Sequence, residues 1–181
     1  APWNSSSWGV NPDLRLKPEI AAPGGSVTSS EPGNEYDDET GTAEASAQVA
    51  GVAALVRQRI ATDPAFAAMS AADKNAVITN LLMGTAHPIV DATKADGAFY
   101  SPRRVGAGLV DAVGATTSPV YPSVVGAANP SRPKADLGDG TNGWSFQVQL
   151  TNVSGTDRTY TLGGQALSPT IEGNSFTFRS A

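Results

Sequence analysis

Apolar positions Val49, Val52, Ala53, Val56 and Ile60 recur at helical spacing, and small residues fill most of the gaps between them. A segment that is small or apolar nearly all round predicts a buried helix against which other elements lie close. It follows the tight turn Gly41-Thr42 and ends near Thr62-Asp63-Pro64, where proline blocks continuation. Asp63-Pro64 then opens a short helix through Met69, and Ser70-Ala71-Ala72-Asp73 has the form of a capping box with Asp in place of Glu. Val77, Ile78, Leu81 and Leu82 make the apolar stripe of an amphipathic helix ending between Thr85 and Pro88.

Period-two signals lie on either side of this helical block. Leu14 and Leu16 alternate with charge and lead into Ile20-Ala21-Ala22, a run closed by Pro23-Gly24, which predicts a strand breaking into a turn. Glu31 to Glu39 reads as an acidic polar loop. Past Thr116, Pro119, Pro122, Pro130 and Pro133 space out a linker-like region. Trp144, Phe146, Val148 and Leu150 then alternate with polar residues as in a half-buried strand. After a polar turn over 152–157, Tyr160 and Leu162 start a second strand, and Phe176 and Phe178 alternate again.

Composition narrows the function classes. The 181 residues allow one medium domain or two small ones, and Gly 19 with Pro 13 demands many turns and short elements. A net charge of −5 argues against a nucleic-acid or anionic-membrane partner. No apolar run approaches the ~18 residues that span a bilayer. The lack of cysteine excludes disulfides and thiolate metal sites. Ala1-Pro2-Trp3-Asn4 has neither the basic start nor the apolar run of a signal peptide, and the chain reads as a piece of a longer one. The carboxylates of the loop from Glu31 to Glu39 are a candidate calcium site, because calcium takes six to eight oxygen ligands. Their spacing fits no calcium-loop motif, and a solvated acidic run is the plainer reading.

Candidate chemistry centres on Gly41-Thr42-Ala43-Glu44-Ala45-Ser46-Ala47-Gln48-Val49-Ala50-Gly51. A turn feeding a helix start holds orphan N–H groups and the positive end of the helix dipole, a place where an oxyanion can be stabilised. The stretch resembles the nucleophile motif of the subtilisin-like serine proteases, Gly-Thr-Ser-Met-Ala-x-Pro-x-Val-Ala-Gly. Gly41, Thr42, Ala45, Val49, Ala50 and Gly51 match without a gap, whereas Ala43, Glu44 and Ala47 stand where the motif has serine, methionine and proline. Further motifs occur in the family's order. Ser6-Ser7-Trp8-Gly9 and Lys17-Pro18-Glu19-Ile20-Ala21-Ala22-Pro23-Gly24 resemble the segment preceding the nucleophile helix. Leu81-Leu82-Met83-Gly84-Thr85-Ala86 is similar to a helix end of the same domain. Tyr100-Ser101-Pro102-Arg103-Arg104-Val105-Gly106-Ala107-Gly108-Leu109-Val110-Asp111-Ala112 resembles its last helix, in the form found in lactocepin-like cell-envelope proteinases. The glycines in that last block would allow close backbone packing; a phosphate-loop reading lacks a third glycine and a strand.

The resemblance implies an α/β fold. Residues 1–116 would form the C-terminal part of a subtilase catalytic domain, and residues 117–181 a linker and truncated fibronectin-like β-sandwich. It implies a secreted or cell-surface location and, for the whole protein, a Ser-His-Asp endopeptidase acting on protein or peptide substrates. Ala43 cannot attack a carbonyl, and the family's aspartate, histidine and oxyanion-hole asparagine belong to upstream segments. His87, the lone histidine, follows the nucleophile position instead of preceding it and reads as a surface or capping residue. The first reading is therefore a catalytically silent fragment or variant of a subtilase. The alternative is a natural pseudoprotease serving as a peptide- or protein-binding module. A third possibility has Thr42 or Ser46 replacing the nucleophile while another chain supplies histidine and aspartate. Glu44 favours a helix start by ~0.3–1 kcal/mol, and alanine avoids the cost of proline, ~3 kcal/mol in a helix interior though little in its first turn, so these changes suit a helix start exposed to water. The part of the domain that would cover the buried helix being absent, self-association or a companion N-terminal fragment is expected.

Overall fold

The computed structural model describes residues 1–9, 11–13, 15–95, 97–126, 132–137 and 143–164, and the backbone of 167–172 and 175–180. In chain order the elements are strands β1 (Val27–Glu31) and β2 (Glu35–Glu39), helix α1 (Thr42–Thr62), a 3₁₀ turn (Pro64–Phe66) and α2 (Ala71–Gly84). Short helices α3 (Pro102–Val105) and α4 (Ala112–Thr117) follow, then strands β3 (Val120–Val125), β4 (Gln147–Asn152), β5 (Leu167–Glu172) and β6 (Ser175–Ser180). Helices and small sheets fit the expected α/β class. No helix among the described residues is long and apolar enough to cross a membrane. The chain divides into two compact units, Ala1–Gln48 with His87–Leu109 and Thr159–Ala181, and Val49–Ala86 with Val110–Arg158.

The second unit holds most of the apolar core. Val56, Ile60, Phe66, Val77, Leu81, Leu82, Ala115, Tyr121 and Val124 are buried in it. Asp63 accepts a hydrogen bond from the Ala65 N–H at 3.0 Å and so starts the 3₁₀ turn, which ends at Phe66, short of the helix through Met69 that the Asp-Pro pair predicts. Ser70 caps α2: its hydroxyl oxygen accepts from the Asp73 N–H at 3.1 Å while the hydroxyl donates to the Asp73 carboxylate at 2.7 Å. This is the capping box with Asp in the third position. Arg59 ties α1 to the end of α4, donating to the Ser118 carbonyl at 2.8 Å and lying 5.6 Å over the Phe66 ring.

In the first unit, backbone lies directly on backbone. The Ala107 N–H donates to the Glu19 carbonyl and the Ala21 N–H to the Gly108 carbonyl, both at 2.9 Å. His87 and Leu109 exchange both of their backbone hydrogen bonds, at 2.9 and 2.8 Å. Gly106 (φ 60°) and Gly108 (φ 122°) adopt conformations that L side chains avoid, and a methyl group on them would overlap the carbonyls of Glu19 and His87. The close packing expected of these glycines is thus present.

Several expectations are corrected. The segment from Leu16 to Ala22 forms no strand; it makes one isolated parallel bridge, Ala21 to Leu109, because Pro18 and Pro23 lack the N–H groups a ladder needs. Leu14 lies outside the described residues. The acidic stretch is a β-hairpin, not a loop: β1 and β2 pair antiparallel from Val27↔Glu39 to Glu31↔Glu35 around Pro32-Gly33-Asn34. Helix α1 is not buried nearly all round. Only Val56 and Ile60 are buried, and Leu55 is 52% exposed, because the described elements cover a single stripe of it. The last-helix block is two short helices, interrupted where Gly106 and Gly108 turn the chain. Strand β4 starts at Gln147 and pairs with β3, but Trp144, Phe146, Val148 and Leu150 remain exposed, since no described layer covers them. Tyr160 and Leu162 lie in no strand, since no segment among the described residues pairs with them. Phe176 and Phe178 do fall in a strand, β6, paired with β5. Among the described residues the sheets are three antiparallel two-stranded pairs.

Candidate functional site

The turn before α1 is fixed from both sides of the hairpin. The Gly41 N–H donates to the Gly24 carbonyl at 2.8 Å, and the Ser26 N–H donates to the Thr40 hydroxyl at 2.8 Å. Leaving at Gly24-Ser26, the chain makes β1 and β2 and returns at Thr40-Gly41 to the point where it left. Helix α1 then starts at Thr42, and the Ala45 N–H reaches back to the Gly41 carbonyl at 3.4 Å. Gly41 therefore sits just ahead of the helix, with Thr42, Ala43 and Glu44 forming its first turn, where N–H groups have no intrahelical acceptor.

Thr42, Ala43, Ser46 and Ala47 are exposed, whereas Gly41 and Glu44 are half-buried. The Glu44 side chain folds back over the turn: its Oε2 lies 2.7 Å from the position a Cβ would take on Gly41. A carboxylate there places negative charge at the positive end of the helix dipole. Ala43 offers a methyl group, which neither attacks a carbonyl nor transfers a proton. His87 is exposed and is held through its backbone to Leu109. Among the described residues, no group of three or more His, Cys, Asp or Glu side chains is gathered to hold a metal ion. Of the carboxylates weighed for calcium, Glu31 lies on β1 and Glu35, Asp37, Asp38 and Glu39 on β2, with Asp38 accepting from the Thr28 hydroxyl at 2.6 Å.

A second polar cluster escaped the sequence reading. Arg104 donates to the carbonyls of Pro2 and Trp3 and to Asn4 Oδ1, at 3.1, 3.0 and 3.3 Å. Its guanidinium lies 5.3 Å from the Trp8 ring centroid and 5.8 Å from that of Tyr100. Tyr100 in turn hydrogen-bonds Asp91. Hydrogen bonds from Thr93 hold the Asp91 carboxyl below its usual range, with Tyr100 and Lys94 acting the same way and partial burial opposing them. Burial, reinforced by the bond to Asp91, raises the Tyr100 phenol above its ordinary value. The sequence signal was weak: Trp8 and Arg104 lie far apart, and only the arginine pair beside Tyr100-Ser101-Pro102 hinted at a stacking site.

A model of the subtilase family matches residues 1–108. Over 173 residues the chain is 32% identical to a C5a peptidase of Streptococcus pyogenes, covering 94% of this chain and 14% of that protein. Over 164 residues it is 35% identical to the PI-type and PIII-type proteinases of Lactococcus lactis subsp. cremoris, covering 87% of this chain and 8% of those proteins. The chain thus spans 14% or less of the length of these relatives.

Proposed function

The chain belongs to the subtilase family, and on that premise we propose that it is the C-terminal part of the protease domain of a secreted or cell-surface subtilase, silent in catalysis because Ala43 occupies the nucleophile's position. One observation carries this reading: Ala43 is the second residue of α1, directly after the turn that the motif makes at Gly41-Thr42. The whole protein would be a serine endopeptidase taking protein or peptide substrates, as the names of its peptidase and proteinase relatives suggest. Residues 1–116 would belong to the protease domain. Residues 117–181 would open a fibronectin-like domain, a reading supported by the antiparallel pairs β3–β4 and β5–β6.

Glu44 favours a second reading, a pseudoprotease kept for binding. Its carboxylate leans over Gly41, where an active enzyme would need room for developing negative charge.

The test is hydrolysis of casein and labelling by a fluorophosphonate probe, for this chain and for Ala43→Ser. Both proteins are expected to be inert when alone. A serine hydroxyl needs a neighbouring base to become a nucleophile, and without its triad partners an active site retains only ~10³–10⁴-fold acceleration over water. Activity of Ala43→Ser on mixing with the upstream half of the domain supports the fragment reading. Activity in isolated Ala43→Ser overturns it, as does probe labelling of the unaltered chain.

A further inference from the structure

The hairpin β1–β2 has open edges: among the described residues no third strand pairs with either of its strands. Every residue of β2, from Glu35 to Glu39, is exposed. An exposed strand edge is a template for a further extended chain, which supplies the missing backbone hydrogen bonds.

The charge on this edge selects what can pair there. Successive side chains of a strand alternate between faces, and directly paired residues share a face. The register therefore puts Glu31, Glu35, Asp37 and Glu39 on one face and Tyr36 with Asp38 on the other. Glu31 and Glu35 are direct cross-strand partners, an arrangement that destabilises a hairpin by like-charge repulsion. No lysine, arginine or histidine lies anywhere between Ser26 and Thr40 to offset it. The five carboxylates of the hairpin equal the whole chain's net charge of −5, so cations and carboxylates balance elsewhere. The excess negative charge of the protein is concentrated on one exposed strand pair.

We infer that the open edge of β2 is a docking surface for an extended, lysine- or arginine-rich polypeptide segment, which adds to the hairpin as a strand and sets its cationic side chains against Glu35, Asp37 and Glu39. Charge on an edge also disfavours acidic strands by like-charge repulsion and neutral ones by the cost of desolvating the carboxylates, and that discrimination is what makes the docking selective. The inference goes beyond the catalytic reading, since the hairpin's edge and charge are independent of what stands at position 43.

A fluorescein-labelled peptide of alternating lysine and threonine tests it by fluorescence anisotropy with the full chain. Saturable binding at one peptide per chain is expected, weakening as salt screens the charges. Glu35→Gln, Asp37→Asn and Glu39→Gln together should weaken binding by about tenfold or more. Asp13→Asn, Asp136→Asn and Asp157→Asn together, an equal change in net charge on exposed residues, should leave it nearly unaltered. Glu31→Lys separates binding from folding: it gives Glu35 a cross-strand partner, so the hairpin should become more stable while affinity falls. A peptide N-methylated at alternate residues, unable to extend the ladder, should bind poorly. No binding, an equal loss in both triple variants, undiminished affinity of Glu31→Lys, or equal binding of the N-methylated peptide each overturns the inference.

Discussion

Arg104 gathers the Pro2 and Trp3 carbonyls, Asn4 and the rings of Trp8 and Tyr100, and the groups beside it have opposite responses to pH. Native Asp91 holds its proton less tightly than an unfolded aspartate, with Thr93 the largest cause. Its contribution to stability is therefore complete above about pH 4 and is lost as pH falls through its lowered native value. Tyr100 behaves in reverse, because burial raises its native value. Its contribution is complete below about pH 10 and is lost as pH rises through the raised native value. Urea midpoints measured across pH should show both limbs. Asp91→Asn should differ from the unaltered protein most at neutral pH and progressively less towards acid, and Tyr100→Phe should lose its difference towards alkali. Differences that do not vary with pH would remove this pair from the pH response. Ala43 and Glu44 are a different case, read by resemblance to the nucleophile motif. A methyl group cannot attack a carbonyl whatever its surroundings, and the direction of the Glu44 side chain came from the structure.

Among the elements, those specified by local chemistry were legible and those depending on distant cover were not. The end of α1 at Thr62 and the Ser70 cap are written in adjacent residues and form where the sequence places them, whereas the helix expected from Asp63-Pro64 through Met69 is only a 3₁₀ turn over Pro64–Phe66. The hairpin was missed because acidic composition hid the strand, although Pro32-Gly33-Asn34 marked its turn. Burial of α1 and β4 was overestimated for one reason: periodicity reports which face is apolar, not whether anything lies against it. The glycine seam joins the two kinds of evidence, since Gly106 and Gly108 are conspicuous in sequence while their partners, Glu19 and His87, lie far away in the chain. Gly108→Ala should destabilise the first unit by about 1–3 kcal/mol, from the strained positive φ and the overlap with the His87 carbonyl. Gly51→Ala, in a helix with open space around the added methyl, should be neutral or stabilising by up to ~1 kcal/mol. Equal urea midpoints for the two variants would deny the seam its structural role.

For the whole molecule, the decisive quantity is apolar surface left in water. Leu55 of α1 is 52% exposed, Val113 of α4 is 71% exposed, and Trp144, Phe146 and Val148 are each more than half exposed. Scattered apolar residues on a surface are ordinary, but rows of them mark surfaces that associate. Trp144, Phe146, Val148 and Leu150 form such a row at alternate positions, and the sequence announced it as the apolar side of a strand. The chain is therefore expected to associate with itself as its concentration rises. Static light scattering over a concentration series should give a mass that climbs above that of a single chain. Phe146→Lys, placed in the middle of the row, should lower that mass, because an ammonium group at the contact must give up its hydration. Leu55→Lys should lower it as well if α1 takes part in the same contact. A mass equal to one chain throughout, together with slow amide exchange along residues 45–60, would show that α1 is protected within a single molecule and that the exposed rows are tolerated without a partner.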